Sequence, residues 1–323
     1  MNVRRRLIPA AAVTAATTLG LATLSACAGD SSATGNSDKF DVVASFYPMA
    51  FLAEQIGGDH VKVTSLTEPG QEPHDLEIST QQRAQLEESD AALFLKGLQP
   101  AVDEAVGQTG IKTKIDAATL TTLEDHGNTE HSHEGEEAHA EEGHSEEEEH
   151  ARDPHIWLDP VKYAEVAEGV GKAFEKADPD HAADYKKNTE ALVGKLNGLN
   201  TQFQDGLKST KSKVFFTNHA AFGYLAERYG LTQEAISGLD PESEPSAARV
   251  KELQQEAKAD GVTTVFYETL VSDKTAKTLA KDANLKKDVL DPLEGITDKS
   301  RGDDYFQVME ANLKALRTAL GAK

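Results

Sequence analysis

One cysteine in 323 residues excludes an internal disulfide, so whatever holds this chain together is packing, hydrogen bonding or a bound ion. Basic residues are scarce: 33 lysines and arginines stand against 55 aspartates and glutamates, a net charge of −22. That balance argues against nucleic-acid binding, which needs a basic surface to meet phosphate. Beyond the N-terminal segment there is no apolar run long enough to cross a bilayer. No HExxH or comparable catalytic signature occurs either, which argues against the commonest zinc hydrolases and for a chain that is not an enzyme.

The cysteine is also unusual in its place. Arg4, Arg5 and Arg6 precede an apolar stretch from Leu7 to Leu24, the charged start and short apolar core of a secretory signal. The stretch ends in Leu24-Ser25-Ala26-Cys27, which resembles a bacterial lipobox, where the cysteine becomes the lipid-modified first residue. Residues 1–26 are therefore expected to be a signal peptide, Cys27 a lipidation site and 27–39 a flexible tether. The folded part is expected outside the cell membrane, held to its outer face by lipid.

Histidine and carboxylate are abundant, and unevenly so. Six of the eleven histidines (His126, His131, His133, His139, His144 and His150) lie between Glu124 and Asp153. This tract holds thirteen acidic residues against one arginine, a net −12, which leaves −10 for the rest of the chain. Imidazole and carboxylate suit zinc and its first-row neighbours, and so polar a stretch can bury nothing. Residues 125–152 read as an accessory loop that attracts metal, with a solvated, dispensable insertion as the plainer alternative.

Elsewhere short apolar strands alternate with helical patterns. Strands are expected at 41–45, 61–66, 91–95, 111–115, 213–217 and 262–267, with helices at 49–56, 79–87, 221–229 and 273–282. This grammar implies an α/β fold of two lobes on mostly parallel sheets. Between them Tyr185, Leu192, Leu196, Leu199, Phe203 and Leu207 recur at helical spacing from a start at Asp178-Pro179, which sets a long helix at 179–208. A shorter amphipathic helix over 161–176 precedes it through Tyr163, Val166, Ala167, Val170 and Phe174. The N-terminal lobe then spans 40–178 and the C-terminal lobe 209–323.

Three further histidines lie in turn-rich contexts. His74 sits in Glu68-Pro69-Gly70-Gln71-Glu72-Pro73-His74-Asp75, His155 in Asp153-Pro154-His155-Ile156-Trp157-Leu158-Asp159-Pro160, and His219 in Thr217-Asn218-His219-Ala220. Two of them follow strands, where open α/β sheets gather ligands. The prolines before His74 and His155 restrict the backbone and help fix a ligand in advance. His60 and His181 lack such contexts and read as surface residues.

With these motifs in view, the chain resembles the substrate-binding proteins of bacterial zinc and manganese ABC transporters, the zinc-type members in particular. Ser45-Phe46-Tyr47-Pro48, Pro73-His74-Asp75-Leu76-Glu77, the Asp153–Pro160 motif, Phe216–Tyr224 and Asp291-Pro292-Leu293-Glu294-Gly295 carry the likeness in family order. The resemblance implies two α/β lobes joined by one rigid helix, with metal in the cleft between them. It implies His74, His155 and His219 as ligands, with a fourth, acidic position that points to Asp291, then Glu294, with Glu268 least favoured and water as a further option. It also implies Zn(II) as the transported ligand, an ABC permease as partner and a monomer. A manganese-type receptor or a metal-dependent adhesin of the same fold is the nearest alternative. A secreted zinc hydrolase with Glu294 as base is the more distant one.

Overall fold

The computed structural model describes residues 39–126 and 152–322, and these fall in one compact unit. The expected signal peptide, Cys27 and nearly all of the tether lie outside the described residues, as does the tract from residue 127 to 151.

Two four-stranded sheets organise the chain, and every pairing within them is parallel. The first contains β1 (Phe40–Ala44), β2 (Val61–Ser65), β3 (Ala91–Phe94) and β4 (Thr113–Asp116) in the order β2-β1-β3-β4. The second contains β5 (Val214–Thr217), β6 (Thr232–Ala235), β7 (Thr264–Tyr267) and β8 (Lys286–Val289) in the equivalent order β6-β5-β7-β8. In each, the winding reverses after the second strand, which opens a crevice at the carboxyl ends of the first and third. All four residues of β3 are buried, as expected of a parallel strand covered on both faces.

Helices α1 (Tyr47–Gly57), α2 (Thr80–Glu88) and α3 (Pro100–Gln108) belong to the first sheet. Helices α6 (Gly223–Tyr229), α7 (Ala247–Ala259) and α8 (Lys274–Ala283) belong to the second. Between the sheets run α4 (Pro160–Ala177) and α5 (Ala182–Leu207), and the described chain closes with α9 (Tyr305–Ala319). The first turn expected of the long helix, Pro179–His181, is a separate 3-10 turn. The 26 residues of α5 extend about 39 Å. Its buried stripe is Tyr185, Thr189, Leu192, Leu196, Leu199, Phe203 and Leu207, the expected apolar series with one threonine added. At Gly171 of α4 the two helices touch: a side chain there would collide with Thr189 Oγ1 and lie 2.9 Å from its Cγ2.

One continuous core joins the two sheets through these helices. Phe46, Trp157, Leu199, Phe203, Phe215, Leu290 and Tyr305 all belong to it, whereas each sheet keeps a smaller apolar cluster on its outer face. The two α/β halves are thus fused along α4 and α5, and the turn Ile156–Leu158 just before α4 is part of the same core.

Candidate metal centre

Each expected histidine arrives at the crevice by its own local device. His74 lies in the loop after β2, where the Glu72 carboxylate accepts from the amides of His74 (3.1 Å) and Asp75 (3.2 Å) and folds the loop back on itself. His155 lies in a turn tied by Asp153, whose Oδ1 accepts from the His155 amide at 2.9 Å. Behind it, Trp157 donates its indole N–H to the Pro292 carbonyl (2.7 Å) and Tyr305 donates to the Trp157 carbonyl (2.7 Å), so the turn is fastened to the second half. His219 comes two residues after β5, its carbonyl accepting from Thr217 Oγ1 and Gln233 Nε2.

The three rings converge on one carboxylate oxygen. Glu294 Oε1 lies 3.3 Å from Nε2 of His74, 3.3 Å from Nε2 of His155 and 3.3 Å from Nε2 of His219. Among the described residues these four side chains are the group close enough to hold a metal ion, all their ligand atoms lying within 4.8 Å of one another. His155, His219 and Glu294 are buried to 1% exposure or less, and the side chain of His74, at 11%, is where the cluster meets solvent. A tetrahedral ion with bonds of about 2.0–2.1 Å would set its ligand atoms roughly 3.3–3.4 Å apart.

The other ring nitrogens are held by carboxylates. Asp153 Oδ1 lies 2.7 Å from His155 Nδ1, and Glu268 Oε1 lies 2.8 Å from His219 Nδ1 while also accepting from Asn218 Nδ2 at 3.0 Å. An Nδ1–H donated to a carboxylate leaves the neutral ring's lone pair on Nε2, the atom aimed at Glu294.

Charge is shared closely here. Burial opposes ionisation of Glu294, but the His219 charge and hydrogen bonds from all three histidines outweigh it and hold its carboxyl well below the usual range. Burial likewise opposes a charged His219, yet Glu268 and Glu294 raise it well above its ordinary value. His155 is raised in the same way by Asp153 and Glu294. On His155 and His219, protons therefore compete with a cation for the nitrogens that would face it.

Asp291 is not part of the cluster, contrary to the first expectation from sequence. Its Oδ1 accepts from the Leu293 amide at 2.9 Å, and its backbone N–H and C=O are both paired with the Asn312 side chain. Leu293 adopts φ +60°, the left-handed region that non-glycine residues seldom enter, and this turn carries Glu294 to the histidines. Burial raises the Asp291 carboxyl. Glu268, the least favoured ligand candidate, holds His219 from behind, and Asp153 was not singled out at all. His60 and His181 stack on each other (ring centroids 4.1 Å apart) at the amino edge of the first sheet, each paired with an aspartate.

His126, read only as one of the tract's histidines, is the other departure. Its Nδ1 lies 3.0 Å from Asp153 Oδ2 and its Nε2 lies 2.9 Å from Glu227 Oε2 on α6. Burial opposes its charge, but the hydrogen bonds to Asp153 and Glu227 raise it. The tract's two ends meet at this point. The Asp153 amide donates to the Glu124 carbonyl (3.0 Å), and Tyr224 OH accepts from the Glu124 amide (2.8 Å) and donates to the Asp153 carbonyl (2.7 Å).

Comparison with known proteins identifies the family of the chain. Residues 42–319 match the family described as "Zinc-uptake complex component A periplasmic", ZnuA. The chain is 38% identical over 304 residues to the zinc-binding lipoprotein AdcA of Streptococcus pneumoniae, covering 91% of this chain and 58% of that protein. It therefore spans little more than half of the AdcA relatives. It is 36% identical over 310 residues to the high-affinity zinc uptake system protein ZnuA of Bacillus subtilis, covering 93% and 95% of the two chains. The crystal structure of the Zn(II)-bound ZnuA-like domain of S. pneumoniae AdcA superimposes with a TM-score of 0.71 at 33% identity, covering 87% of this chain and 99% of that one.

Proposed function

We propose that this chain, which belongs to the ZnuA family of zinc-uptake complex component A proteins, captures Zn(II) outside the cell membrane and hands it to an ABC permease. The zinc is cargo, held by Nε2 of His74, His155 and His219 and by the Glu294 carboxylate. The observation that carries this reading is the three equal 3.3 Å separations from Glu294 Oε1, the spacing a tetrahedral ion of zinc's bond length imposes. Two ligands come from the first half and two from the second, so capture and release both run through the crevice. His74, the exposed member on a loop, is the first to meet an incoming ion and the first to let go. Lipidation at Cys27 would keep the receptor beside its permease.

The donor set favours zinc over manganese, because three imidazoles and a single carboxylate are softer than the oxygen-rich sets manganese prefers. It also speaks for binding rather than hydrolysis. A catalytic zinc keeps a position open for water, and here a carboxylate stands in the fourth position.

Metal content and competitive zinc titration of the form lacking residues 1–27 test the assignment. His74→Ala, His155→Ala, His219→Ala and Glu294→Gln should each lose tight binding, and Asp291→Asn should keep it. Tight binding retained in all four variants, or lost only in Asp291→Asn, would overturn the site.

A further inference from the structure

His126 occupies a built seat. Gly223 at the start of α6 leaves the room for it: a side chain there would collide with His126 Cβ, lie 2.6 Å from its Cγ and lie 2.9 Å from Asp153 Oδ2. The Tyr224 ring packs edge-on against the imidazole at a centroid distance of 4.5 Å. The chain just before it is anchored as well. Lys162 donates to the Thr122 carbonyl at 2.7 Å and lies 3.2 Å from Glu124 Oε1, with its ammonium 5.2 Å from the Tyr224 ring centroid. A surface histidine of a polar tract would need none of this.

The seat has a direction. Asp153 spends one oxygen on the His155 ring and amide and offers the other to His126. The line of contacts is therefore Glu227, His126, Asp153, His155 and then the Glu294 cluster. Turning the carboxylate about its Cβ–Cγ bond would carry Oδ1 off the His155 ring and amide, and the His126 bond to Oδ2 adds resistance to the same turn. His155 needs a fixed Asp153, because the ring's angle toward the ion depends on it.

We propose that His126 is a positioning residue for the metal site: held between Glu227 and Asp153 in the space that Gly223 leaves, it locks the carboxylate that aims His155. The inference rests on the zinc reading above and extends it to a residue of the tract's edge. It also gives the tract a defined point of connection to the site, with Asp153 between it and the ligand His155.

The test is zinc release into excess chelator, followed by stopped flow, together with the visible spectrum of the Co(II)-loaded protein. Outer-shell partners of metal-bound histidines are commonly worth 10–100-fold in affinity. For His126→Ala and Gly223→Ala, zinc should leave about tenfold faster and the cobalt bands should shift in position and intensity, with His126→Gln partly restoring both. Glu227→Ala, whose side chain is 63% exposed in the native protein, should fold without difficulty and speed release about threefold. It keeps the test open if the two seat variants do not fold. Release rates and cobalt spectra equal to wild type in the folded variants would overturn the role of His126. Wild-type protein that binds no zinc at this site would instead overturn the zinc reading itself.

Discussion

The Asp291 carboxylate accepts a hydrogen bond from the Leu293 amide at 2.9 Å, across a backbone turned into the left-handed region at Leu293. The bond explains how an acidic residue can matter to the cluster without belonging to it. A leucine at positive φ is strained by roughly 1–3 kcal/mol unless its surroundings hold it there. Asp291 and Asn312 are what hold it.

Asp291 should therefore behave as a support. Asp291→Asn preserves the acceptor and should bind zinc nearly as the native protein does. Asp291→Ala removes it and should weaken zinc binding about tenfold, by analogy with other outer supports of metal ligands. Glu294→Ala, by contrast, should abolish tight binding. Competitive titration with a chromophoric chelator separates the three, and equal losses in Asp291→Asn and Glu294→Ala would show that Asp291 is itself a ligand.

Zinc binding should expel protons. His155 and His219 are raised above the ordinary histidine value by the carboxylates beside them, so an incoming ion competes with protons for their nitrogens. Protons should be released as zinc binds, and affinity should fall as pH falls. Calorimetry in two buffers of different ionisation enthalpy measures the number, and a buffer-independent binding enthalpy would contradict it.

The same shifts set the stability of the zinc-free protein. Groups raised on folding contribute fully below the unfolded histidine value of about 6.5, and that contribution is lost as pH rises through their folded values. The chelator-treated protein should lose stability as pH rises above about 6.5, and His219→Ala should flatten that loss. Urea midpoints across the pH range supply the comparison; parallel curves would exclude the effect.

Trp157, the sole tryptophan, should report on the site. Its ring centroid lies 5.2 Å from that of His155, and its indole N–H reaches the Pro292 carbonyl, two residues from Glu294. Zinc titration should change the emission in proportion to occupancy. Trp157→Phe should abolish the signal and, by leaving that carbonyl unpaired, destabilise the fold by about 1–3 kcal/mol.

Packing of α4 on α5 should be equally sensitive at one point. Gly171→Ala places a methyl against Thr189 and should cost about 1–3 kcal/mol in urea unfolding, with zinc affinity little changed. A neutral effect would mean that the two helices can slide past each other.

The three histidines were legible because local features mark them: a preceding proline at His74 and His155, and a strand ending just before His219. Helices α4 and α5 were legible for a similar reason, since their apolar stripes are long and regular. What the sequence hides is whatever depends on distant partners or rare backbone. Glu294 outranks Asp291 only because Leu293 takes a conformation that no local rule assigns to leucine. Glu268 lies 49 residues from His219, so its place behind the ring rather than at the ion follows from sheet pairing. Helix α7 buries only Arg249, Leu253 and Ala257 and strand β8 only Val289, which leaves little apolar pattern to read. Helix α9 does carry such a pattern, in Val308, Met309, Leu313 and Leu316.

The hydrogen bond from the Asp153 amide to the Glu124 carbonyl has a consequence for how such chains can vary. It ties the chain at Glu124 to the chain at Asp153, so the two ends of the intervening stretch are held together whatever its length. Closing a flexible loop twice as long costs only about 0.6 kcal/mol more. Insertions and deletions between the two tied ends should therefore be nearly free energetically. Selection can tune the number of histidines there while the geometry one turn away stays fixed.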